Sequence, residues 1–331
     1  MIAAKHSGLS DRIQKARNCR RSSARVYSSN IARIHREFLP RTKYSQDLSW
    51  LGSNSSQLLT KLKKIENINT QRNLLAAAVV ALDLLKQPKK KESYVKQIAV
   101  LNKLKEERAQ SGEMTTKQAE KFIEWKSVIK LRRLLNRTVR LGKYYTRKKV
   151  TRNEFQTMQQ NLVLHLYTEI PPVRNDWSDV QFVSEKEWED MPEQLKKTTN
   201  NLVLARGGYR VYWAKYKTVD KHGVIMQLIP KTLGGLLKRH IRFLKEHYPD
   251  TRNLLLTLVG TPMTRNALTK FLQRLFYKHF RKKISTTALR SVFISHKFSK
   301  SQLEEQRTVA KAMHHTPAVQ RDVYAKNLPG S

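Results

Sequence analysis

The stretch His314-His315-Thr316-Pro317-Ala318-Val319-Gln320-Arg321-Asp322-Val323-Tyr324 decides how this chain is read. His315 precedes Tyr324 by nine residues. Between them Thr316 is a good N-cap and Pro317 suits the first helical position, so a short helix is expected to carry Tyr324. Upstream, Thr287-Ala288-Leu289-Arg290 leads into the apolar run Val292-Phe293-Ile294. Each residue alone has a plain structural explanation: Tyr324 as a packing aromatic, His315 as a turn residue, Arg290 as a snorkelling or acid-paired side chain. Their shared order and spacing are what call for more.

Composition narrows the partner. The 331 residues suffice for two domains with sizeable cores. Lys plus Arg number 65 against 26 Asp plus Glu, a net charge of +39 spread along the whole chain. Solubility does not require so large a charge; it implies a polyanion, with nucleic acid the default. A ribosomal or membrane-surface protein shares this balance. The single Cys19 excludes an internal disulfide and a Cys-based zinc site. The ten His show no ligand spacing such as H-E-x-x-H. The longest apolar run, Leu74 to Leu82, is about half of a membrane span. With no apolar leader at the start, a soluble, intracellular and not secreted protein is expected.

The first part reads as helices. Tyr27, Ile31, Ile34 and Phe38 recur at helical spacing, with Ser22 and Ser23 as candidate caps and Pro40 as the stop. Basic residues surround that stripe. Further helices are expected over about 69–85 and 94–108, separated by a basic turn, Gln87-Pro88-Lys89-Lys90-Lys91. The Lys run also has the composition of a weak nuclear import signal. Ala109-Gln110-Ser111-Gly112 is the best linker candidate, which divides the chain into domains 1–111 and 112–331. Thr115-x-x-Gln118 is a capping box expected to open a helix through Phe122, Trp125, Ile129 and Leu135. Thr151-x-x-Glu154 opens another, which Pro171-Pro172 ends. Tyr209-Arg210-Val211-Tyr212-Trp213 and Val224 to Ile229 read as the one convincing hairpin, across a turn-like 219–223. After Pro230 helices return, among them 265–280 and 287–298, and Ser301-x-x-Glu304 caps one more. The fold class expected is mainly α with a small β-hairpin or sheet.

The order Arg, Lys, Arg, His, Tyr resembles the tyrosine recombinases, and the resemblance covers roughly residue 115 to the end. Its first Arg box looks like Leu166-Tyr167-Thr168-Glu169-Ile170-Pro171-Pro172-Val173-Arg174-Asn175-Asp176. The form T-x-I-P-P-x-R-N-D is closest to integrases of virophages, large DNA viruses and Polinton-type elements. By this resemblance Arg174 and Arg290 clamp the phosphate, His315 donates to a nonbridging oxygen, and Tyr324 is the nucleophile. Lys217, on the hairpin, would be the general acid, with Lys215 and Lys221 as alternatives. The residue types suit this chemistry, since guanidinium pairs bidentately with phosphate and stays charged. A mobile Lys can protonate a leaving oxygen, and a Tyr can store the bond as an ester.

Two positions depart from the family pattern. Thr287 stands where H-x-x-R has His, and His314 replaces the Gly before the family His. Thr287 can donate one hydrogen bond but cannot carry a proton at neutral pH. The resemblance implies a two-domain tyrosine recombinase clamp, a helical core-binding domain plus a catalytic domain. It also implies double-stranded DNA as partner, a homotetramer on two sites, and neither cofactor nor metal. The location follows the target DNA, in the host nucleus or a viral factory. Two other expectations stay open: DNA relaxation like that of type IB topoisomerases, and a non-catalytic basic nucleic-acid-binding protein.

Overall fold

A computed structural model describes residues 7–111, 114–298, 302 and 305. The chain is mainly helical with one small sheet, and it divides into two compact units, residues 1–113 and 114–331. No helix among the described residues is long and apolar enough to cross a membrane.

The first unit contains α1 (Ser7–Arg17), α2 (Arg21–Phe38), α3 (Ser49–Ser53), α4 (Ser55–Lys63), α5 (Ile68–Leu84) and α6 (Pro88–Ser111). The apolar stripe of α2 buries Ile31 and Ile34, which join Leu58, Leu62, Leu74, Leu75 and Leu82 in one core. Small Ala77, Ala78 and Ala81 lie buried on α5 between its neighbours. Asn67 caps α5 by accepting from the Thr70 amide. Gln71 donates to the Leu62 and Lys63 carbonyls, which closes the end of α4. Several expectations are corrected. Neither Ser22 nor Ser23 caps α2, whose N-cap position is Arg20. The Lys run is no turn: Pro88 takes the first helical position, where its missing N–H costs nothing, and the lysines form the first turn of α6. There Lys91 pairs with Asp83 at 2.6 Å and Lys90 donates to the Gly52 carbonyl. Ala109 to Ser111, read as linker, are helical.

The second unit contains α7 (Thr116–Ala119), α8 (Trp125–Leu141), a 3-10 turn at Tyr144–Thr146 and α9 (Arg152–Thr168). After a second 3-10 turn at Asn175–Asp179 come β1 (Val180–Ser184), α10 (Glu185–Glu189), α11 (Glu193–Lys196), β2 (Asn200–Ala205) and β3 (Gly208–Trp213). Then follow α12 (Val219–His222), β4 (Ile225–Leu228), α13 (Lys231–His247), α14 (Arg265–Phe280) and α15 (Thr286–Lys297). Both capping boxes form, at Thr115/Gln118 and Thr151/Glu154. The first opens only the short α7, however. The chain then leaves helical geometry, Lys282 binds the Phe122 carbonyl at 2.8 Å, and α8 starts afresh at Trp125. The hairpin expected from sequence is β3–β4, with Trp213 opposite Ile225. It belongs to a larger sheet of order β1-β2-β3-β4, in which β1 and β2 run parallel and the other pairs antiparallel. Phe182, Leu202, Val211 and Trp213 turn inward onto the helical core.

A buried His makes this unit acid-sensitive. His240 lies fully buried on α13, with Nε2 3.1 Å from the Leu254 carbonyl and Nδ1 3.4 Å from the Tyr145 hydroxyl. Nε2 therefore donates and Nδ1 accepts from the phenol. Burial pushes its pKa down to about 4 from 6.5. The unfolded chain takes up a proton near 6.5 that the folded chain refuses until about 4, so stability is complete above 6.5 and falls below it. The expected loss is about 3 kcal/mol across that window. The melting temperature should fall as pH drops from 6.5, and His240→Gln should flatten much of that slope. Identical slopes for wild type and variant would contradict it.

Candidate active site

Pro171 and Pro172 cannot extend α9, so the chain turns and presents Arg174 just beyond it. Tyr167, wholly buried on α9, donates its hydroxyl to the Arg174 carbonyl at 2.6 Å. Burial holds that phenol far above its ordinary pKa, so it remains a donor. The Arg174 backbone is thereby fixed while its side chain stands exposed. Among the described residues that side chain makes no hydrogen bond or ion pair.

The next residue, Asn175, joins three elements. Its Nδ2 donates to the Arg265 carbonyl at 3.1 Å and to the Thr269 hydroxyl at 2.8 Å, both on α14. Its Oδ1 accepts from the Thr286 hydroxyl at 2.8 Å, at the start of α15. Thr286 is buried, and Arg290 follows it by about one turn on the same helix. The Arg174 segment and the helix bearing Arg290 are therefore tied by one side chain.

Arg265 extends the network. Its Nε donates to Asp179 at 2.7 Å, while one terminal nitrogen lies 3.0 Å from Asp176 and donates to the Lys215 carbonyl at 3.0 Å. Asp176 is buried, and desolvation raises its carboxyl pKa against the pull of Arg265 and Arg174. Asn200, fully buried at the start of β2, accepts from the Ala214 and Lys215 amides and donates to the Lys215 carbonyl. The end of β3 is thus pinned to the Arg174 segment through Asp176 and Arg265. Beyond it, Tyr216 donates to the Gly223 carbonyl at 2.8 Å and closes the loop that holds Lys217. Gly223 sits at φ +66° and ψ −161°, a conformation open only to glycine.

Of the residues singled out from sequence, Arg174, Lys215, Lys217, Thr287 and Arg290 lie on these three tied segments. The side chains of Lys215 and Lys217 are exposed and that of Arg290 is partly buried. Among the described residues Arg290 has no carboxylate partner. Lys221 is exposed on α12. Thr287 is exposed too, and the hydroxyl that anchors this corner belongs to its neighbour Thr286. The helix begins at Thr286, with Ser285 as its cap. His314, His315 and Tyr324 lie outside the described residues, as does the Ser301-x-x-Glu304 cap. Sequence reasoning missed Asn175, Asn200, Arg265 and Thr286, whose partners lie up to 111 residues away. Asn175-Asp176 does stand next to Arg174 in the first Arg box, a local signal without a visible role.

Cations without an ion-pair partner among the described residues, on segments locked by the Asn175 and Asn200 amides, can hold a phosphate without prior rearrangement, which is what electrostatic stabilisation of a phosphorane needs. No family model, curated protein or solved structure matches this chain.

Asn175→Ala leaves the buried Thr286 hydroxyl without its acceptor and removes two bonds to α14, whose Arg265 carbonyl and Thr269 hydroxyl still bond to each other. The expected cost is about 2–3 kcal/mol, or roughly 4–12 °C in melting temperature for a unit of this size. Calorimetry checks it; an unchanged melting temperature would mean that Asn175 does not hold the corner together.

Proposed function

We propose that this protein is a tyrosine recombinase that cleaves and rejoins double-stranded DNA, and that it integrates viral or mobile-element DNA. The observation that carries the proposal is the Asn175 bridge, which ties the Arg174 segment to the helix of Arg290 while Arg265 pins the Lys215–Lys217 segment to the same corner. Neither Arg forms an ion pair among the described residues, although Arg174 acts at longer range on Asp176, and this supports a role for both in holding a phosphate.

In this mechanism the two units clamp duplex DNA, with the first supplying phosphate contacts from its basic helices. The Tyr324 hydroxyl oxygen attacks the scissile phosphorus. The bond to the 5′ oxygen breaks, and a 3′-phosphotyrosine ester forms. Arg174, Arg290 and His315 stabilise the charge on the phosphorane, and Lys217 gives its proton to the departing 5′ oxygen. A 5′ hydroxyl from the partner duplex then attacks the ester, releases Tyr324 and leaves a Holliday junction. The ester conserves the bond energy, so no nucleotide is consumed. A homotetramer on two sites follows by analogy with the family.

Two measurements test this. Duplexes selected by binding from a random pool, then nicked near the bound site, should yield a denaturation-resistant adduct and four-way junctions. Adduct without junctions would indicate relaxation chemistry, and neither product would indicate a binder. Binding itself should lose on the order of a thousandfold in non-specific affinity from about 50 to 200 mM salt, because Lys and Arg contacts release counterions. A flat salt titration would assign the +39 charge to another partner.

A further inference from the structure

In the first unit, α5 packs against both α2 and α6, and a cavity of about 400 Å³ is lined from all three. That is within the size range of small-molecule sites. Its polar lining is Ser22, Ser23 and Asn30 of α2 with Arg72 and Asn73 of α5. Each of these side chains can donate a hydrogen bond, and none has a partner among the described residues. No acid lines the cavity. The Arg72 Nε is shut off from water without an acceptor, a costly state for a charged group. The first turn of α2 has neither an acid nor a side-chain cap, so its positive end is left uncompensated. Beside these donors is an apolar wall of half-buried Tyr27 and Ile98 with Val26, which is 58% exposed. Ala76, which also lines the space, is too small to fill it.

Donors without acceptors around one guanidinium call for an anion, and the planar fork of Arg72 matches a phosphate. Inorganic phosphate would leave the apolar wall wet. A lipid chain would need a longer apolar channel than Val26, Tyr27 and Ile98 provide. A duplex offers that wall no base face, because paired bases stay stacked and present only their edges. We infer that this cavity is a binding site for a nucleoside monophosphate, supplied as a free nucleotide or as an unpaired residue of a nucleic-acid strand. The phosphate takes the Arg72 guanidinium and the Ser22 and Ser23 hydroxyls at the positive end of α2. The base lies on Tyr27, a contact open to any base because every base has a π-face. The Asn30 and Asn73 carboxamides, each with donor and acceptor groups, meet its polar edge. The site goes beyond strand cleavage, since Arg174, Lys217 and Arg290 all belong to the second unit.

Titration calorimetry of the full chain with AMP, at near-physiological ionic strength and without DNA, tests it. AMP should bind about tenfold or more tightly than ribose 5-phosphate, which keeps the sugar and phosphate but lacks the base to stack. Arg72→Gln should weaken AMP by about tenfold or more, through loss of the charged fork. Ala76→Leu fills the space for the base without changing charge, so it should weaken AMP to a similar extent and leave ribose 5-phosphate unaffected. Neither position is fully buried, so melting temperatures should stay near wild type and show that the fold survives. Arg137→Gln, an exposed cation of the second unit, should leave AMP binding unchanged. A deoxyadenosine dinucleotide separates the two sources: its diester should bind more tightly than AMP if the site takes an unpaired strand, and less tightly if it takes a free nucleotide. Equal affinity for AMP and ribose 5-phosphate, or AMP binding that ignores Ala76→Leu, would reduce the site to general charge attraction and overturn the inference. So would a chain that binds neither AMP nor the dinucleotide. No cleavage is measured, so a failed recombination assay leaves this outcome distinct.

Discussion

Tyr324→Phe is expected to abolish covalent attachment to DNA while leaving binding nearly intact. The phenyl ring keeps the apolar bulk of the side chain and removes only the oxygen that would attack phosphorus. Binding draws on many of the 65 Lys and Arg residues, so the loss of one neutral hydroxyl hardly registers there. Gel electrophoresis under denaturing conditions separates the two effects. A Phe variant that still migrates with DNA would move the nucleophile to another residue.

Arg290→Ala and Arg174→Ala should each slow strand cleavage by on the order of a hundredfold to a thousandfold, the cost of removing one preorganised donor from a developing anion. Affinity should change little, since each is one cation among many. Lys should rescue poorly at either position, because an ammonium cannot pair with phosphate through a planar fork. Folding should be nearly unaffected, because neither side chain has a hydrogen-bonded partner among the described residues to orphan. Single-turnover cleavage of a nicked duplex gives the rates. Values within tenfold of wild type would remove these two residues from the clamp.

Local chemistry was legible and long-range chemistry was not. Thr115/Gln118 and Thr151/Glu154 form the boxes their spacing announces, because a capping box closes within four residues. The length of the helix after Thr115 was not legible, since it ends where Lys282 captures the Phe122 carbonyl from 160 residues away. β2 begins with Asn200-Asn201, poor strand formers, and is held at its start by Asn200 contacts to Ala214 and Lys215. β1 finds its partner only across α10 and α11. Both strands were therefore invisible beside the aromatic β3. At the site, residue type and order pointed to Arg174, Lys217 and Arg290. The amides that assemble their segments carry no local pattern, because Asn175 and Asn200 act through partners fixed by the fold.

The most direct test is to map the linkage. Wild-type protein is trapped on a nicked duplex whose cleaved strand loses its 5′ end by diffusion, and the adduct is digested and sequenced by mass spectrometry. The expected product is a peptide containing Tyr324 that bears a 3′-linked nucleotide, together with a free 5′ hydroxyl on the released strand. A 5′ linkage, an adduct on another residue, or intact DNA under conditions of saturated binding would contradict the assignment of this chain to tyrosine recombination.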